Sequence, residues 1–533
     1  TSHLWVFQDH INVGVIRDGH RALLIDFGAG AVEKSLREIG IDTIDTVFFT
    51  HHHRDQACGA HAVAMDGALI GAPAAERQWF AEPESFWNDP QYRWHLYNVH
   101  PHHLMLTQSI PVDRELTDGE VIQWGPATIT VLSTPGHTDG SITLLVDVDK
   151  KRFAFCGDLL YDIGQLWELH SLQKGMTEPV NITDYHGFLG ARPQLTDSLY
   201  RLEASGPDMV IPSHGAILRE PAIAVETLLD RLQICYDHYV AISALRYYFP
   251  AMFTDYAERT DFMPIRAGLP VPGCLRHVLT SWILLSETGA AFVMDCGGTA
   301  VIDALRGMLA TGEINSVEGV WITHYHDDHV NEVPAFQQAF PCELIADDSV
   351  ARVIADPLAW RLPCISPGVA RVDRRTTDGA SWQGHEFTMT AYHFPGQTLY
   401  HGGLFVEGRG LRMFFAGDSF TAAGIDDYCA QNRNFLGLGV GFQRCLDILD
   451  ALKPELIFNP HVDDAFSFTP EEIRCMRENL TAREELYGSL FPWDDVNFGM
   501  DDFWVRCHPY EQTLRPGESA TVDVVVTNHS RED

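Results

Sequence analysis

The sequence predicts an α/β protein built from two similar domains in tandem. The first observation is an internal repeat, because the strings HHHRDQ at 51–56 and HYHDDH at 324–329 lie about half a chain apart. The second is their context, since each string follows a threonine and a short apolar run of the kind that forms a buried strand. The third is a matching pair of segments, GPDMVIPSH at 206–214 and KPELIFNPH at 453–461. Such a repeat is typical of two copies of one domain.

Within the first half, strand patterns alternate with helix patterns in the order that an α/β domain requires. The chain opens with a hairpin pattern that turns at Asp18-Gly19, a common hairpin signal. Period-two alternation, which marks strands with one buried face, recurs on both sides of His137. The predicted elements are a helix at 33–39, strands at 47–49, 127–133, 141–147 and 153–156, a helix at 193–205 and a strand at 208–212.

The second half repeats this order of elements. The predicted elements are strands at 278–286, 319–322, 387–392, 403–406, 412–416 and 455–458, with helices at 300–310 and 440–452. We place the domain boundary between about 225 and 272, where a helical stretch leads into the loop LPVPG. The predicted domains are therefore 1–250 and 251–480.

The segment after about residue 480 is unlike either half. Residues 513–528 hold a Pro-Gly turn followed by alternating residues from Thr521 to Val524, which is a strand pattern. We therefore predict a short β-rich tail over 481–533. Two interpretations stay open: the tail packs as an extra strand, or it is the start of an Ig-like domain that the chain does not complete.

Composition limits the class of protein. The 533 residues include 73 acidic and 37 basic side chains, a formal net charge of −36, which disfavours nucleic acid and anionic membranes as partners. No run of 18 apolar residues is present, so no transmembrane helix is predicted. The 11 cysteines are scattered without CxxC pairs, which favours reduced thiols in a cytoplasmic protein. A small-molecule substrate is the expected partner, and self-association stays open.

The two repeated strings predict metal sites. Each has two histidines at i and i+2, His51 and His53 in the first string and His324 and His326 in the second, with an aspartate two residues further on. Side chains at i and i+2 of an extended segment point to the same side, so the two imidazoles converge on one cation. A single histidine among the 26 in the chain is more often a surface or core residue. An ordered set of histidines and an aspartate that occurs twice, each time after a strand pattern, is not explained as ordinary surface or core residues.

These residues resemble the metallo-β-lactamase superfamily of di-metal hydrolases, whose ligands follow the order HxHxDH, a distant His in a PGH turn, a bridging Asp after Gly, and a last His. The resemblance implies tandem αβ/βα four-layer sandwiches. It also implies the metal-binding positions of the first half, which are His51, His53, Asp55, Gln56, His137, Asp158 and His214. In the second half the matching positions are His324, His326, Asp328, His329, Gln397, Asp418 and His461.

Each half departs from the family pattern once. Gln56 stands where the family has the His after the Asp, and Gln397 stands where it has the distant His. A glutamine oxygen is a weaker ligand for zinc than an imidazole. His393 and His401 lie close to Gln397 in the sequence and are alternative ligands, although neither is in register.

The resemblance also implies a cofactor and catalytic residues. Zinc is the expected metal, with two ions per intact site, and iron or manganese is the alternative. Three histidines with one open position form the arrangement of a catalytic zinc, which acidifies bound water. Asp158 and Asp418 are the expected bridging ligands. Asp55 and Asp328 are the candidate catalytic residues, since a carboxylate there can orient the nucleophile.

Two classes of function follow from these residues. The favoured one is a metal-dependent hydrolase acting on an ester, thioester, lactone, amide or phosphoester. The rival is an iron-loaded redox enzyme of the same fold, or a non-catalytic binding or scaffold protein with degenerate sites. We expect the first half to carry most of the activity because it keeps the three-histidine set, and the second to bind metal more weakly or to be a duplicate kept for packing. Because Gln56 replaces a histidine of the family pattern in the first half, the alternative that the second half carries most of the activity stays open.

Overall fold

The computed structural model describes residues 1–90, 93–94, 102–168, 188–256, 259–426, 435–501 and 503–528. The chain divides into two compact units. Unit 1 comprises Thr1–Tyr92, Asn98–Tyr236 and Glu485–Gly499. Unit 2 comprises Arg93–Tyr97, Asp237–Glu484 and Met500–Asp533. Each unit is therefore assembled from segments that are separated in the sequence.

Unit 1 contains two mixed sheets. The first has six strands in sequential order: β1 Leu4–Gln8, β2 Asn12–Asp18, β3 Arg21–Ile25, β4 Thr43–Phe48, β5 Leu69–Pro73 and β6 Arg114–Leu116. Strands β1 to β3 are antiparallel, and β3 to β6 are parallel. The second sheet has the order β11-β10-β9-β8-β7, formed by β7 Val121–Trp124, β8 Ala127–Ser133, β9 Ile142–Val148, β10 Lys151–Phe155 and β11 Met209–Ile211.

Helices cover the outer faces of both sheets in unit 1. The helices are α1 Glu33–Leu36, α2 Arg54–Ala57, α3 Ala60–Met65, α4 Arg77–Ala81, α5 Pro83–Asn88, α6 Phe188–Ala204 and α7 Pro221–Ala241, the last of which runs on into unit 2. One apolar core lies between the sheets, where Phe48 meets Ile129 and Val146. Another core joins the first sheet to its helices, where Val47 packs with Phe80. These layers form the four-layer αβ/βα sandwich that the resemblance implies.

Unit 2 repeats this architecture. Its first sheet has the sequential strands β12 Leu275–Val278, β13 Ser281–Leu285, β14 Ala290–Met294, β15 Ser316–Ile322, β16 Glu343–Asp347 and β17 Arg374–Thr376. Its second sheet has the order β18-β19-β20-β21-β24, formed by β18 Ala380–Gly384, β19 Phe387–His393, β20 Gly402–Gly408, β21 Leu411–Phe415 and β24 Leu456–Phe458. A small ribbon, β22 Phe420–Thr421 and β23 Gly424–Ile425, precedes the last of these strands.

The helices of unit 2 again lie outside the sheets. They are α8 Leu245–Tyr248, α9 Thr299–Thr311, α10 Asp327–Val330, α11 Val333–Ala339, α12 Asp348–Ala355, α13 Gly441–Leu452 and α14 Pro470–Leu490, and α14 carries the chain back into unit 1. Trp282 and Phe415 belong to the core between the sheets. Leu305 and Phe336 belong to the core beneath the helices.

A shared irregularity supports the internal repeat. The parallel pairing of β3 with β4 shifts register between Ala22 and Leu23. The pairing of β14 with β15 shifts register at the equivalent place, between Ala291 and Phe292. In both units the strand that follows this shift, β4 or β15, is the one that delivers the repeated histidine string. The predicted tandem αβ/βα fold is therefore confirmed.

The residues after α14 divide between the units. Residues 485–499 belong to unit 1, and those from Met500 onward belong to unit 2. Within unit 2 the antiparallel pair β25 Val505–His508 and β26 Asp523–Val526 forms a two-stranded ribbon. The extra-strand and Ig-like interpretations of this β-rich tail both stay predictions. Among the described residues, no helix combines the length and apolarity needed to cross a membrane.

Candidate metal centres

A buried aspartate supports the first histidine of each cluster. In unit 1, Asp26 follows β3 with a left-handed φ of 58° and accepts hydrogen bonds from the backbone N–H of Thr50 at 2.9 Å and from its Oγ1 at 3.0 Å. Thr50 Oγ1 in turn lies 3.1 Å from His51 Nδ1. This chain of polar contacts fixes the orientation of the imidazole, as outer-shell partners commonly do for metal ligands.

The same support recurs in unit 2. Asp295 has a φ of 66° and accepts from the backbone N–H and Oγ1 of Thr323, both at 2.7 Å. Thr323 Oγ1 lies 3.0 Å from His324 Nδ1. Asp295 also contacts His329 Nδ1 at 3.0 Å, so this aspartate holds two candidate ligands. The sequence shows these aspartates as a repeated feature of the strand before each string, but it does not show their role.

The first cluster brings together six of its seven predicted positions as two groups. His51, His53 and His137 form one group, and Asp55, Asp158 and His214 form the other, with the ligand atoms of each group within 4.8 Å of one another. Asp158 lies between the groups. Its Oδ2 is 3.5 Å from His51 Nε2, 3.3 Å from His137 Nε2 and 3.8 Å from His214 Nε2. This is the position of a bridging carboxylate.

Gln56, the seventh position, lies beside the cluster. Its side chain is buried, its Nε2 donates to Asp55 Oδ2 at 3.2 Å, and its Oε1 makes no hydrogen bond. Its backbone carbonyl accepts from the N–H groups of Phe27 and Gly28. In unit 2 the residue equivalent to Gln56 is His329, whose imidazole contacts the supporting aspartate Asp295. Among the described residues no imidazole contacts Asp26 in this way. Burial raises the pKa of Asp26 to about 7.

His214 is held by aromatic residues that sequence reasoning missed. The Trp167 ring stacks on His214 with ring centroids 4.0 Å apart and planes 10° apart. Trp493, from the C-terminal segment of unit 1, donates its Nε1–H to the Trp167 carbonyl at 3.0 Å and packs on its ring at 4.7 Å. Both lie far from His214 in the sequence and in no repeated motif, so no local signal identifies them.

Glu76 joins the two ligand-bearing loops of unit 1, which sequence reasoning also missed. It is buried and accepts from the backbone N–H of His52 at 2.8 Å, from His52 Nδ1 at 2.8 Å and from the N–H of Gly140 at 3.0 Å. His52 lies between the candidate ligands His51 and His53, and Gly140 closes the loop that carries His137. A single carboxylate therefore sets the distance between these loops.

The second cluster also forms two groups. His324, His326 and Asp418 form one, and Asp328, His329 and His461 form the other. Asp418 Oδ2 lies 3.6 Å from His324 Nε2, 3.3 Å from His329 Nε2 and 3.2 Å from His461 Nε2, so it too lies between the groups. The side chains of Asp328 and His461 are 36% and 35% exposed, which leaves this side of the cluster open to solvent.

Gln397 is buried where the distant histidine would stand. Its backbone N–H donates to Ser419 Oγ at 3.2 Å, and its side-chain Oε1 makes no hydrogen bond. His401 does not join the ligand groups; its ring stacks on that of His324 at 4.9 Å, and its Nε2 lies 3.3 Å from Ser419 Oγ. His393 instead contacts Asp347 at 3.2 Å.

The glycine before each bridging aspartate is required by close packing. Gly157 and Gly417 have left-handed φ values of 59° and 51°. A Cβ at Gly417 would lie 2.5 Å from His401 Nε2, and one at Gly157 would lie 3.1 Å from Thr50 Oγ1. Any side chain here would be strained and would displace a residue that packs beside the cluster.

Burial and opposed charges set the protonation of the metal-free clusters. Burial lowers the pKa of His51 to about 4 and raises the pKa of Asp158 to about 7. Burial also disfavours protonated His214 and His461, but neighbouring carboxylates outweigh it and raise their pKa values to about 9 and about 10. Because metal ions and protons compete for these atoms, metal binding at these groups is expected to release protons.

The donor atoms fit a pair of metal ions. Asp55 Oδ1, Asp158 Oδ1, Asp418 Oδ1 and the Nε2 atoms of His51 and His329 are buried without a hydrogen bond, although buried polar atoms are normally paired. In unit 2 the distances from the Nε2 atoms of His329 and His461 to carboxylate oxygens of Asp328 and Asp418 run from 3.1 to 3.4 Å. Tetrahedral zinc with ligands at about 2.0–2.2 Å separates its ligands by roughly 3.3–3.6 Å. Imidazole and carboxylate groups are among the donors that bind zinc in proteins.

The fold and the paired clusters define a tandem-domain protein with a His/Asp metal-binding cluster in each domain. Sequence comparison matches the metallo-beta-lactamase superfamily at residues 6–214 and 276–461, one match in each unit. The chain therefore belongs to the metallo-beta-lactamase superfamily and carries two tandem copies of its domain.

Curated relatives of this chain are hydrolases. A hydroxyacylglutathione hydrolase of Stenotrophomonas maltophilia is 32% identical over 131 residues, which cover 22% of this chain and 45% of the relative. A hydroxyacylglutathione hydrolase of Brucella anthropi is 30% identical over 189 residues, which cover 33% of this chain and 60% of the relative. The chain spans about half the length of the curated relatives it matches.

Solved structures also match this chain, at lower identity. A metallo-beta-lactamase family protein from Thermus thermophilus is 18% identical, with a TM-score of 0.34, and covers 46% of this chain and 87% of that chain. A subclass B3 metallo-beta-lactamase of Bradyrhizobium japonicum is 18% identical, with a TM-score of 0.32, and covers 44% of this chain and 92% of that chain.

Proposed function

We propose that this protein is a metal-dependent hydrolase of small molecules that uses water as its nucleophile. One observation carries the proposal: in unit 1, three imidazoles form one ligand group beside the group of Asp55, Asp158 and His214. A buried cluster of this composition, with unpaired donor atoms, is built to hold cations and not to stabilise the core. Zinc is the metal we propose, at two ions per complete site.

We assign roles to the carboxylates from their contacts. Bound zinc would polarise the reacting oxygen of the substrate and acidify water. Asp158 bridges the two ligand groups of unit 1, as Asp418 does in unit 2. Asp55 Oδ2 accepts from Gln56 and lies 2.8 Å from His214 Nε2, while its Oδ1 makes no hydrogen bond. We therefore propose that Asp55, and Asp328 in unit 2, orients the attacking water and receives its proton.

The substrate class we favour is a small acyl compound. The curated relatives are named hydroxyacylglutathione hydrolases, so a thioester is the first member of this class to test. Oxygen esters, lactones, amides and phosphoesters complete the panel. The chain's net charge of −36 favours small substrates over nucleic acids.

We propose that unit 1 carries most of the activity. It keeps three imidazoles for the first metal, whereas unit 2 has two imidazoles, Asp418 and the weaker Gln397 at that position. Unit 2 instead keeps a complete second group, in Asp328, His329 and His461. The expected result is that His137→Ala lowers turnover at least about a hundredfold, the scale of losing a catalytic metal's ligand or its support, whereas His461→Ala lowers it by less than about threefold.

The test combines metal analysis with turnover. Purified protein is assayed for zinc, iron and manganese, and then against the thioester, ester, lactone, amide and phosphoester panel. Zinc with hydrolysis of a panel member supports the proposal, and retained iron with no hydrolysis would favour the redox alternative. Loss of turnover in His461→Ala but not in His137→Ala would assign the activity to unit 2.

A further inference from the structure

Unit 2 contains a cavity away from the candidate metal ligands, none of which belongs to its lining. Its volume is about 550 Å³. Its lining includes Trp360, Tyr400 and Phe503 together with Arg352, Arg375 and Arg506. The arginines come from α12, β17 and β25, so three separate elements bring cations to one cavity. A cationic cavity is unusual in a chain with a net charge of −36.

Arg506 is the arginine of this cavity for which the described residues offer no carboxylate partner. In the described part of the chain no carboxylate oxygen lies within 4.0 Å of its guanidinium; Asp356 and Asp501 act on it only from a longer distance. Its Nη1 donates to the Ala359 carbonyl at 3.0 Å, and its plane lies over the Trp360 ring at 3.7 Å. The guanidinium is therefore held in place but not neutralised.

The other charged groups of the cavity nearly balance. Arg352 Nη2 lies 2.6 Å and Arg375 Nη1 lies 3.4 Å from oxygens of Asp348, so two guanidinium groups share one carboxylate. His508 Nε2 lies 3.9 Å from Asp356. With three arginines against two aspartates, the lining has one excess positive charge before any charge on His508 is counted. That balance suits a monoanion better than a polyanion.

The walls are aromatic. Trp360 and Tyr400 pack edge to face with ring centroids 5.1 Å apart, and Tyr400 is largely buried. Tyr400 also meets Tyr325 at 6.0 Å, and Tyr325 stands between the candidate ligands His324 and His326. These rings offer an apolar aromatic surface against which a flat ring can pack, and drug-sized ligands occupy cavities of about 300–1,000 Å³.

We propose that this cavity binds a small aromatic carboxylate, with its ring against Trp360 and Tyr400 and its carboxylate on Arg506. The planar guanidinium matches the two oxygens of a carboxylate, which supplies a partner that none of the described residues gives to Arg506. This site does not depend on the proposed hydrolysis, so either proposal can fail without the other.

The test uses 2-naphthoate as the probe, in calorimetric titrations of the metal-loaded full chain. The expected result is one site, with affinity reduced at least about tenfold in Arg506→Met, the scale of one charge-assisted hydrogen bond. Arg515→Met is the matched control, because Arg515 is an exposed arginine of the same tail and changes the charge equally. The Arg515→Met variant should bind 2-naphthoate with the same affinity as the unaltered protein.

A ligand comparison keeps the proposal falsifiable even where Arg506→Met fails to fold. 2-Naphthamide has the same ring and no charge, so on the unaltered protein it should bind at least about tenfold more weakly than 2-naphthoate. Equal binding of the two ligands would overturn the proposal. Absence of 2-naphthoate binding would do so too, as would unchanged affinity in a folded Arg506→Met, since a carboxylate held at the metal clusters would not depend on Arg506.

Discussion

At the scale of single residues, each cluster depends on a threonine hydroxyl that is not itself a candidate metal ligand. Thr50 Oγ1 connects buried Asp26 to His51, and Thr323 Oγ1 connects Asp295 to His324. A hydroxyl is suited to this role because it donates to the carboxylate and accepts from the imidazole N–H at the same time. The ring nitrogen that faces the cluster is then left as the lone-pair donor that a metal requires.

Thr50→Val should weaken metal binding in unit 1 while keeping the fold. Valine has the shape of threonine but lacks the hydroxyl, so His51 loses its orienting partner, a change that typically costs roughly 10–100-fold in metal affinity. Zinc retention is measured during titration with a competing chelator. Thr46→Val is the matched control, since Thr46 is a buried threonine of β4, the strand that leads to Thr50, but contacts Asp45 instead. Equal zinc retention in the two variants would show that the hydroxyl plays no such role.

Glu76→Gln should destabilise unit 1 by about 3 kcal/mol at neutral pH, because an amide cannot accept all the hydrogen bonds that the buried carboxylate accepts. Burial favours protonated Glu76, but the charge and hydrogen bonds of His52 outweigh it and hold the pKa of Glu76 well below its ordinary value. A carboxylate with a lowered folded-state pKa stabilises above its unfolded pKa, about 4.3, and loses this contribution as the pH falls below that value.

The pH dependence supplies the check on Glu76. Denaturant unfolding of both proteins is compared at pH 7 and at progressively lower pH. The stability difference should be largest near neutrality and should shrink in acid. A difference that stays constant across this range would mean that the carboxylate charge is not what stabilises the two loops.

At the scale of elements, the segment 485–499 completes the surroundings of the first cluster. Besides the contact of Trp493 with Trp167, the Leu166 N–H donates to the Leu490 carbonyl at 2.9 Å, and Arg231 Nη1 donates to the Ser489 carbonyl at 2.7 Å. The first bond ties the loop that carries Trp167 to the segment, and the second ties α7 to it. The position of His214 therefore depends on a part of the chain that lies outside both family matches.

Trp493→Ala should loosen the second metal group of unit 1 selectively. Loss of a half-buried tryptophan costs about 2 kcal/mol of unit 1 stability, and Trp167 loses its support against His214. The expected result is that the metal ion of the group containing His214 is released at a lower chelator concentration than in the unaltered protein. The metal ion of the three-histidine group should be retained as before. Trp504→Ala is the control, since Trp504 is 51% exposed and belongs to unit 2. Simultaneous loss of both ions from unit 1 would contradict this selectivity.

Much of each element was predictable from the sequence because its signals are local. The predicted strand 127–133 coincides with β8, since alternating residues record which face is buried. The predicted helix 193–205 overlaps α6, although the helix begins earlier, at Phe188. The candidate ligands came from the resemblance to the family's motif order, and the structure brings six of the seven positions in each unit close together. Trp167 and Glu76 were not predictable, because their contacts join segments far apart in sequence and carry no repeated spacing.

At the scale of the whole molecule, two units with separate cores should unfold as separate transitions. Metal that binds only the folded state stabilises by RT ln(1 + [L]/Kd), about 4 kcal/mol when free metal is a thousand times Kd. Chelation should therefore lower the temperature of both transitions in scanning calorimetry, with the larger shift for the unit that binds metal more tightly. A His137→Ala variant assigns the transitions. One chelator-insensitive transition would contradict metal-dependent folding of two units.

The discontinuity of unit 1 has a consequence for the order in which the protein is made. Residues 485–499 leave the ribosome roughly 250 residues after the main body of unit 1, a delay on the order of 10–50 seconds at ~5–20 residues per second. During that interval Trp167, which stacks on His214, lacks its partner Trp493, so the surroundings of the first cluster are incomplete. A gene fragment that stops after the first family match would encode this immature form permanently. Fusing residues 485–499 directly behind α7 should restore the contact of Trp493 with Trp167. We expect this design to allow unit 1 to be produced alone.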